Sequence, residues 1–451
     1  MPTARIPVAA VQPSAHNRAD FASAWPHIAD LANAAAERGA KLIVLPEATV
    51  PGYVLGAAPV NVAQLERAFA DLSAIAARSG ATIVYGTAKV VAGQTVNAAA
   101  CIGPDGSELG FAAKQFLWHF DRRWFARGDE LEPVRTPLGD LGLLVCADGR
   151  IPTIAATLVE RGAQLLVMPT AWVTSGRDPQ ALENLQADLL ANVRAKENGV
   201  PFVVSNKCGV ELESVAYCGK SAIIDADGEF VARGSETREE IVYGEVELRD
   251  ASHSAPDATR FAPVAAPPNA RERARVAFTT ARTAADLERL AGLAHVADCD
   301  LLVACDAAEV RTEPPVVRIA SARAGTLETT AGLAFAIADD RAIHDPRALV
   351  DARLHGIDLI VWCADAGRDA AWQTRFARTR AAELRAFAIV FCGDGERAFA
   401  VDPDGAVVAG TFADFRMASF VYDRARSRAT TVAPTTDVLA GLQVAEAIRA
   451  R

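Results

Sequence analysis

Apolar and polar positions follow two different periods along the first 250 residues, and they predict strands that alternate with helices. Short apolar runs such as RIPVAAVQ and KLIVLPE are typical of buried strands. FASAWPHIADLANAAAERGA and NVAQLERAFADLSAIAARSG carry apolar residues at helical spacing, and each segment closes near a glycine. Asp-Gly pairs in GPDG and DADGEF predict hairpin turns. We therefore predict a layered α/β sheet that is partly antiparallel.

The pattern changes near residue 251. The stretch DASHSAPDATRFAPVAAPPNARERAR is rich in proline, alanine and charge and has no clear period. Such composition is typical of a linker or a wrapping arm. We predict a first domain at residues 1–250, an arm at 251–274 and a second domain at 275–451.

The second half of the chain looks like a shortened copy of the first half. RVAFTTARTAADLERLAGLAHVADCDLLVACD mirrors the opening strand–helix–strand, with Asp306 in the place of Glu47, and ARLHGIDLIVWCADAG mirrors LVERGAQLLVMPTAW. A repeat of this size predicts two copies of one fold. The piece after Asp306 is much shorter than its counterpart, and Ala338 or Asp340 falls opposite Cys146. We expect the second copy to be inert.

Composition narrows the class of protein further. A chain of 451 residues, 51% of them hydrophobic, has material for two or three domains. The net charge of −10 is spread without long runs, which argues against nucleic acid or an anionic membrane surface as partner. No signal peptide or apolar run of about 20 residues is visible, so we expect a cytoplasmic protein without a membrane span. We interpret the eight cysteines as reduced thiols, and the absence of a CxxC pair argues against a metal site. We expect no cofactor.

Three reactive side chains follow predicted strands in the first half of the chain. They are Glu47 in KLIVLPEATVPGY, Lys114 in GFAAKQFLWHF and Cys146 in GLLVCADGRIP. Clefts form at the carboxyl edge of open α/β sheets, so the three could converge. Taken singly, a glutamate or lysine after a strand is usually a surface residue, and a cysteine in an apolar run is usually core.

Together the three residues describe acyl transfer through a thioester. A thiol near the start of a helix feels the positive end of the helix dipole, and Lys114 could favour the thiolate further. Lys114 and the backbone N–H of Ala147 could stabilise an oxyanion. Glu47 could take the thiol proton and later activate water.

These segments resemble the nitrilase (carbon–nitrogen hydrolase) superfamily. The resemblance is carried by LPE, KxFL and CADxRxP in this order, with ERGAQLLVMPTAW, RAKENGVPFVVSN and GKSAIIDADGEFVA around them. It covers roughly residues 5–250, and residues 275–423 as a degenerate copy. It implies that Glu47 is the general base, Lys114 the oxyanion-stabilising lysine and Cys146 the nucleophile. It also implies a nitrilase-like αββα sandwich, duplicated here in tandem, so that one chain forms a pseudo-dimer that could assemble into larger homo-oligomers.

One position departs from the family pattern. Many members carry a second glutamate after the lysine, whereas Arg122 or Arg123 stands there in this chain and Asp121 is the nearest acid. Asp121 is either a shorter auxiliary acid or the surface partner of a neighbouring arginine. Arg122 could instead bind a substrate carboxylate.

Further residues are assigned by position alone. Tyr53 and Trp172 lie where the family's cleft is lined, although each is equally compatible with core or rim. We expect Asp148 and Arg150 to form a structural pair.

The residues after the cysteine separate branches of the superfamily. Nitrilases proper tend to place Trp and Glu there, whereas Ala147 and Asp148 resemble amidases and carbamoylases. We expect hydrolysis of a small-molecule amide or N-carbamoyl group with release of ammonia. There are two alternatives. One is nitrile hydrolysis by the same three residues, and the other is a non-catalytic pseudoenzyme that binds a ligand or a partner.

Overall fold

The computed structural model describes residues 5–56, 58–174, 183–249, 271–306, 315–319, 326–367 and 369–450. Contacts divide these residues into two units. The first unit contains the described residues up to 249 together with 433–436 and 444–450, and the second contains the others.

The first unit alternates strands and helices in the predicted order. Its strands are β1 Arg5–Gln12, β2 Leu42–Val44, β3 Thr82–Val91, β4 Gln94–Ile102, β5 Glu108–Ala113, β6 Val134–Thr136, β7 Gly139–Leu143, β8 Leu165–Pro169, β9 Phe202–Ser205, β10 Cys208–Glu211, β11 Val215–Cys218, β12 Ala222–Ile224, β13 Phe230–Arg233 and β14 Glu240–Glu247. Its helices are α1 Phe21–Glu37, α2 Val62–Ser79, α3 Pro152–Glu160 and α4 Ala191–Asn198. Single turns of 3₁₀ helix span Arg18–Asp20, His119–Arg123 and Cys146–Arg150, and a π-helical turn at Gln186–Leu190 leads into α4.

The strands of the first unit form two six-stranded sheets and one hairpin. The first sheet has the order β14-β1-β2-β3-β4-β5, the second has the order β13-β12-β9-β8-β7-β6, and β10 pairs with β11. Strands β1, β2 and β3 are parallel, as are β7, β8 and β9, and the other pairs are antiparallel. The prediction of a mixed α/β fold is confirmed.

Helices α1 and α2 bury their apolar faces against the first sheet. Trp25 of α1, Leu72 of α2 and Ile83 of β3 belong to one buried cluster. Asn61 caps the start of α2 by accepting a backbone N–H, and Gly80 ends the helix with a left-handed φ of 66°. The helical period of the sequence therefore reports the face that packs on the sheet.

The second unit also contains two sheets. Its strands are β15 Arg273–Thr279, β16 Leu301–Cys305, β17 Val316–Ile319, β18 Thr326–Thr330, β19 Leu333–Ala338, β20 Leu359–Cys363, β21 Phe387–Phe391, β22 Ala398–Val401, β23 Val407–Gly410 and β24 Met417–Asp423. Its helices are α5 Ala284–Val296, α6 Asp340–His344, α7 Pro346–Leu354, α8 Ala370–Leu384 and α9 Arg424–Arg428. The chain ends with β25 Thr431–Ala433, β26 Thr436–Asp437 and α10 Val438–Arg449. The sheet orders are β17-β16-β15-β24 and β18-β19-β20-β21-β22-β23.

The units divide the chain differently from the predicted domains. Most of the predicted arm, residues 251–270, lies outside the described residues, and β15 already begins at Arg273, inside the predicted range of 251–274. Residues 433–436 belong to the first unit, so the predicted domain 275–451 does not form one unit. The reason is local: the Thr435 hydroxyl donates to the carbonyl of His119 (2.7 Å), and the N–H of His119 donates to the Thr436 hydroxyl (2.7 Å).

No helix in the described part of the chain is both long enough and apolar enough to cross a membrane.

Gly86 of β3 marks the closest backbone approach beside the end of β2. A Cβ at this position would lie 2.3 Å from the carbonyl oxygen of Pro46, 2.4 Å from the Cα of Glu47 and 2.5 Å from the nitrogen of Ala48. The N–H of Gly86 donates to the Pro46 carbonyl at 3.1 Å. Only a glycine lets the segment of Glu47 lie directly on β3.

We predict that Gly86→Ala lowers the free energy of unfolding by about 1–3 kcal/mol or more, because the new methyl group meets backbone that cannot move aside. Thermal unfolding of the purified proteins measures the change. The control is Gly292→Ala in α5, where a Cβ meets no atom within 4 Å. It should be neutral or stabilising by about 0.5–1 kcal/mol. A Gly86→Ala protein that melts with the parent would contradict the close approach.

Candidate active site

The structure places Glu47, Lys114 and Cys146 after three strands of the first unit. Glu47 follows β2, Lys114 follows β5 and Cys146 follows β7, and all three side chains are buried. Strands β2 and β5 run in the same direction within the first sheet, so their carboxyl ends meet at one edge.

Lys114 lies between two carboxylates. Its Nζ is 2.6 Å from Oε1 of Glu47 and 2.6 Å from Oδ2 of Asp121, and none of the three side chains is exposed. Although burial lowers the pKa of Lys114, Asp121 and Glu47 hold it well above its ordinary value. Asp121 is therefore a buried partner of the lysine, and the alternative of a surface pair with an arginine is wrong.

Glu47 is held on one oxygen only. Its Oε1 accepts from Lys114 and from Nδ2 of Asn97 (2.7 Å), whereas its Oε2 is buried without a hydrogen-bond partner among the described residues. The backbone of Asn97 also accepts from the N–H of Lys114 at 2.8 Å. Sequence reasoning missed Asn97, although a lone amide within the apolar run TVNAAACI was a visible signal.

Cys146 begins the 3₁₀ turn Cys146–Arg150 with a φ of 48°, and the buried Ala147 follows it directly. Burial and the charge of Glu47 raise the pKa of the thiol, and Lys114 and the N–H of Ala171 offset this only in part. This balance opposes the expected thiolate, which stays a prediction. The helix that was expected to act on the thiol through its dipole, α3, begins only at Pro152.

Asp148 ties two segments of the site together. Its Oδ1 accepts from the N–H groups of Gln115 (3.0 Å) and Phe116 (2.7 Å), and its Oδ2 accepts from Val145 (3.0 Å). Burial raises the pKa of Asp148 to about 7, against the effect of these N–H groups. Its carboxylate thus joins the segment after Lys114 to the residue before Cys146, and the expected pair with Arg150 stays a prediction.

The residues expected to line the pocket differ in their burial and contacts. Tyr53 is buried and its hydroxyl donates to Oδ1 of Asp121 at 3.1 Å. Trp172 is buried. If the side-chain amide of Gln186 is turned by 180°, its oxygen accepts from the indole N–H of Trp172 (3.2 Å) and its nitrogen donates to the carbonyl of Cys146 (3.0 Å). Arg122 is exposed at its turn, so its predicted contact with substrate stays a prediction.

Residues 7–255 match the carbon–nitrogen hydrolase family. This match covers more than half of the chain. The chain belongs to the carbon–nitrogen hydrolase family, within the nitrilase superfamily.

The chain is similar to proteins that are named as nitrilases and amidases. A probable nitrilase of Schizosaccharomyces pombe is 29% identical over 216 residues, which cover 47% of this chain and 76% of that protein. Human omega-amidase is 29% identical over 227 residues, covering 48% of this chain and 79% of that protein. The crystal structure of an amidase from Nesterenkonia sp. has 26% identity and a TM-score of 0.49, and the match covers 55% of this chain and 92% of that one.

Three non-glycine residues of this carbon–nitrogen hydrolase have left-handed backbone at the site. They are Ala48, His119 and Cys146, with φ of 45°, 47° and 48°. Such conformations carry a strain of about 1–3 kcal/mol each and persist only where surrounding structure enforces them. Each one lies at or beside a turn that carries a charged or sulfur side chain of the cluster. The hydrogen bonds of His119 to Thr435 and Thr436 are part of this enforcement.

Among the residues that the structure describes, no group of three or more His, Cys, Asp or Glu side chains could hold a metal ion.

We predict that alkylation of Cys146 by iodoacetamide still accelerates above pH 9, because the raised pKa keeps the thiol neutral at lower pH. An ordinary thiol, with a pKa of about 8.5, would approach its plateau there. Peptide mass spectrometry measures the rate at each pH. The same cysteine in the urea-unfolded chain is the control and should titrate ordinarily. A plateau below pH 8 in the folded protein would show that the resting thiol is ionised.

Proposed function

We propose that this carbon–nitrogen hydrolase is a cysteine-dependent amidase or carbamoylase that acts on a small molecule and releases ammonia. One observation carries the proposal. Of the carboxylate oxygens of Glu47 and Asp121, only Oε2 of Glu47 has no hydrogen-bond partner among the described residues. The ammonium of Lys114 has three protons and two carboxylate partners, so one N–H is left for a ligand.

Acylation uses this acceptor and this donor. Oε2 of Glu47 takes the proton of the Cys146 thiol as the sulfur attacks the carbonyl carbon. The third N–H of Lys114 and the backbone N–H of Ala147 stabilise the oxyanion that forms. The C–N bond then breaks, and the protonated Glu47 gives its proton to the departing nitrogen, which leaves as ammonia. A thioester on Cys146 results.

In deacylation, water is the nucleophile and the Cys146 sulfur is the leaving group. Glu47, again a carboxylate, removes a proton from water as its oxygen attacks the thioester carbon. The sulfur leaves, takes back the proton from Glu47 and the acid product is released. A neutral resting thiol suits this cycle, because Glu47 can act as the base only if the Cys146 thiol still carries its proton.

Asp121 is the auxiliary acid in this proposal. Its carboxylate contacts Lys114 directly and is oriented by Tyr53 and by the N–H of Trp118 (2.9 Å). These contacts support a shorter substitute for the family's second glutamate. Its charge keeps Lys114 protonated when Glu47 becomes neutral during the reaction.

Nitrile hydrolysis is the second candidate, and the name of the Schizosaccharomyces pombe relative favours it. The same thiol can attack a nitrile carbon, and hydrolysis of the thioimidate would also release ammonia. Comparing a nitrile with its matching amide, for example butyronitrile with butyramide, separates the two candidates by their kcat/KM values.

We propose that the second unit is a degenerate copy of the first. Parallel β19, β20 and β21 correspond in order to β7, β8 and β9. Cys146 and Asp340 each precede by six residues the proline that begins the next helix, Pro152 or Pro346. Asp340 has no thiol, and its carboxylate accepts from the indole of Trp362 (3.0 Å). This supports an inert second copy, and we propose from the family resemblance alone that it serves as the partner in an intrachain pseudo-dimer.

We predict that Cys146→Ala abolishes ammonia release and that Glu47→Gln lowers turnover by about 10²–10⁴-fold, since it removes the base. An ammonia assay on a panel of small amides, N-carbamoyl compounds and nitriles tests this. Intact-mass spectra after rapid quenching should show an acyl adduct on the parent protein and none on Cys146→Ala.

The matched control for this experiment is Cys101→Ala, which removes another fully buried thiol of the first unit. It should keep both turnover and adduct. Turnover that survives in Cys146→Ala would refute the proposed nucleophile, and a parent protein that neither turns over nor acquires an adduct would favour the pseudoenzyme.

We predict that Asp121→Asn loses activity at alkaline pH before the parent does. Removing one of two carboxylates lowers the pKa of the buried Lys114, so its ammonium loses its proton as the pH rises. Profiles of kcat/KM between pH 7 and 10 measure the effect. Asp121→Glu should restore the parent profile, and Asp129→Asn, at an exposed site, should leave it unchanged. Superimposable profiles for Asp121→Asn and parent would exclude this role.

A further inference from the structure

Two cysteines of the second unit meet between its two sheets. Cys305 ends β16 in the sheet β17-β16-β15-β24, and Cys363 ends β20 in the sheet β18-β19-β20-β21-β22-β23. Their sulfur atoms are 2.8 Å apart, and neither cysteine is in a disulfide. They therefore form a dithiol pair that spans the two sheets and joins positions 58 residues apart in the chain.

The alternation of side chains along the two strands explains this contact. Residues two apart in a strand point to the same face of a sheet. Every second residue of both strands belongs to one buried apolar cluster that the two sheets share, namely Leu301, Val303, Leu359 and Val361. Cys305 and Cys363 continue these two rows and pack with the same cluster. The pleat of each strand thus directs its thiol at the facing sheet.

The first unit shows the same approach between the corresponding strand ends. Strand β16 lies between its parallel neighbours β15 and β17, as β2 lies between β1 and β3. Strand β20 lies between β19 and β21, as β8 lies between β7 and β9. After β2 and β8, the N–H of Glu47 donates to the carbonyl of Thr170 at 3.2 Å. The meeting of the two thiols therefore follows from the topology of the sheets.

Cys305 is the thiol of the pair that a reagent reaches first. It is partly exposed, whereas Cys363 is only 5% exposed. The thiol of Cys305 also donates to Oδ2 of Asp306 at 3.4 Å, so a carboxylate that can receive its proton lies beside it. The contact with Cys363 raises the pKa of Cys305. Little thiolate is then present at neutral pH, and we expect the exchange of this thiol with a disulfide to be slow.

We propose that Cys305 and Cys363 are a reversible disulfide site that fastens the two sheets of the second unit together. The co-reactant is a low-molecular-weight disulfide such as oxidised glutathione. The Cys305 sulfur attacks one sulfur of this reagent, and the first glutathione thiol leaves. The Cys363 sulfur then attacks the Cys305 sulfur in the mixed disulfide, and the second glutathione thiol leaves. The two thiol protons and two electrons of the protein pass to the two molecules of glutathione.

The folded second unit favours this disulfide because its strands already hold the two sulfur atoms together. The same bond in the unfolded chain must close a long loop, and the entropy lost there is the main source of stabilisation by a disulfide. By the thermodynamic cycle, the disulfide stabilises the folded state by the same factor by which folding favours oxidation of the pair. The ratio of the oxidation equilibria in the folded and unfolded chains therefore measures how strongly the bond fastens the sheets.

Equilibration of the full chain in glutathione buffers tests the site. The protein is purified with a reductant and kept at graded ratios of oxidised to reduced glutathione until its composition is constant. Acid then stops the exchange, N-ethylmaleimide blocks the remaining thiols, and peptide mass spectrometry identifies each cysteine. We predict a peptide in which Cys305 and Cys363 are cross-linked. Its oxidation equilibrium constant should be about 30–1,000-fold larger than that of the same pair in the urea-unfolded chain.

Single substitutions show which thiols carry the disulfide. Cys305→Ser and Cys363→Ser should each lose the cross-linked peptide at every glutathione ratio. The matched control is Cys299→Ser, which removes another buried cysteine of the second unit, one that packs with Ala291 and Ala294 of α5 in a different cluster. It should form the cross-link at the same glutathione ratio as the parent. Thermal melting of each reduced variant shows whether it has folded.

Three results with the parent protein would overturn the inference. They are thiols that stay reduced at every glutathione ratio, a glutathione adduct that accumulates on Cys305 without the cross-link, and equal oxidation equilibria in the folded and unfolded chains. Because these measurements need no variant, they decide the matter even if a substituted protein does not fold. They also require no turnover and no reaction of Cys146, so their outcome is separate from that of the proposed function.

Discussion

The ion cluster of Lys114 with Glu47 and Asp121 is the interaction on which the rest of the site depends. A buried ammonium is stable only if its partners remain within hydrogen-bond distance, and each partner left alone would be a buried uncompensated charge. The three residues come from three separate segments, after β2, after β5 and in the turn His119–Arg123. The cluster therefore links the positions of these segments.

The surrounding backbone is organised to hold this cluster in place. Gly86 lets the segment of Glu47 lie on β3, and Asp148 joins the backbone after Lys114 to the backbone before Cys146. Left-handed residues occur where these segments turn sharply. The strain they carry is supported by hydrogen bonds from elsewhere in the first unit, including those from residues 435 and 436. A rigid setting of this kind favours electrostatic stabilisation that needs no rearrangement during reaction.

Charge is distributed unevenly within the site. Lys114 has two carboxylates within 2.6 Å, whereas Lys207 has its nearest carboxylate oxygen at 4.0 Å. The first lysine is already matched by protein, and the second is stabilised mainly by aromatic rings. The two lysines therefore differ in how the protein compensates their buried charge. The aromatic wall of Tyr53 and Tyr217 connects the two.

The sequence by itself determined the α/β alternation, most helix and strand positions in both halves, and the three segments that carry Glu47, Lys114 and Cys146. These features are local, since they follow from hydrophobic period, turn residues and the character of short motifs. The roles of the three residues stay proposals that the geometry supports. Only the tertiary structure decided that Asp121 is buried against Lys114, that Asn97 holds Glu47 and that the thiol has a raised pKa. Each of these depends on which groups from distant segments lie together away from water, and no local pattern of residues specifies those neighbours. The same holds for the assignment of residues 433–436 to the first unit, because two threonine hydroxyls find the backbone of His119 more than 300 positions away.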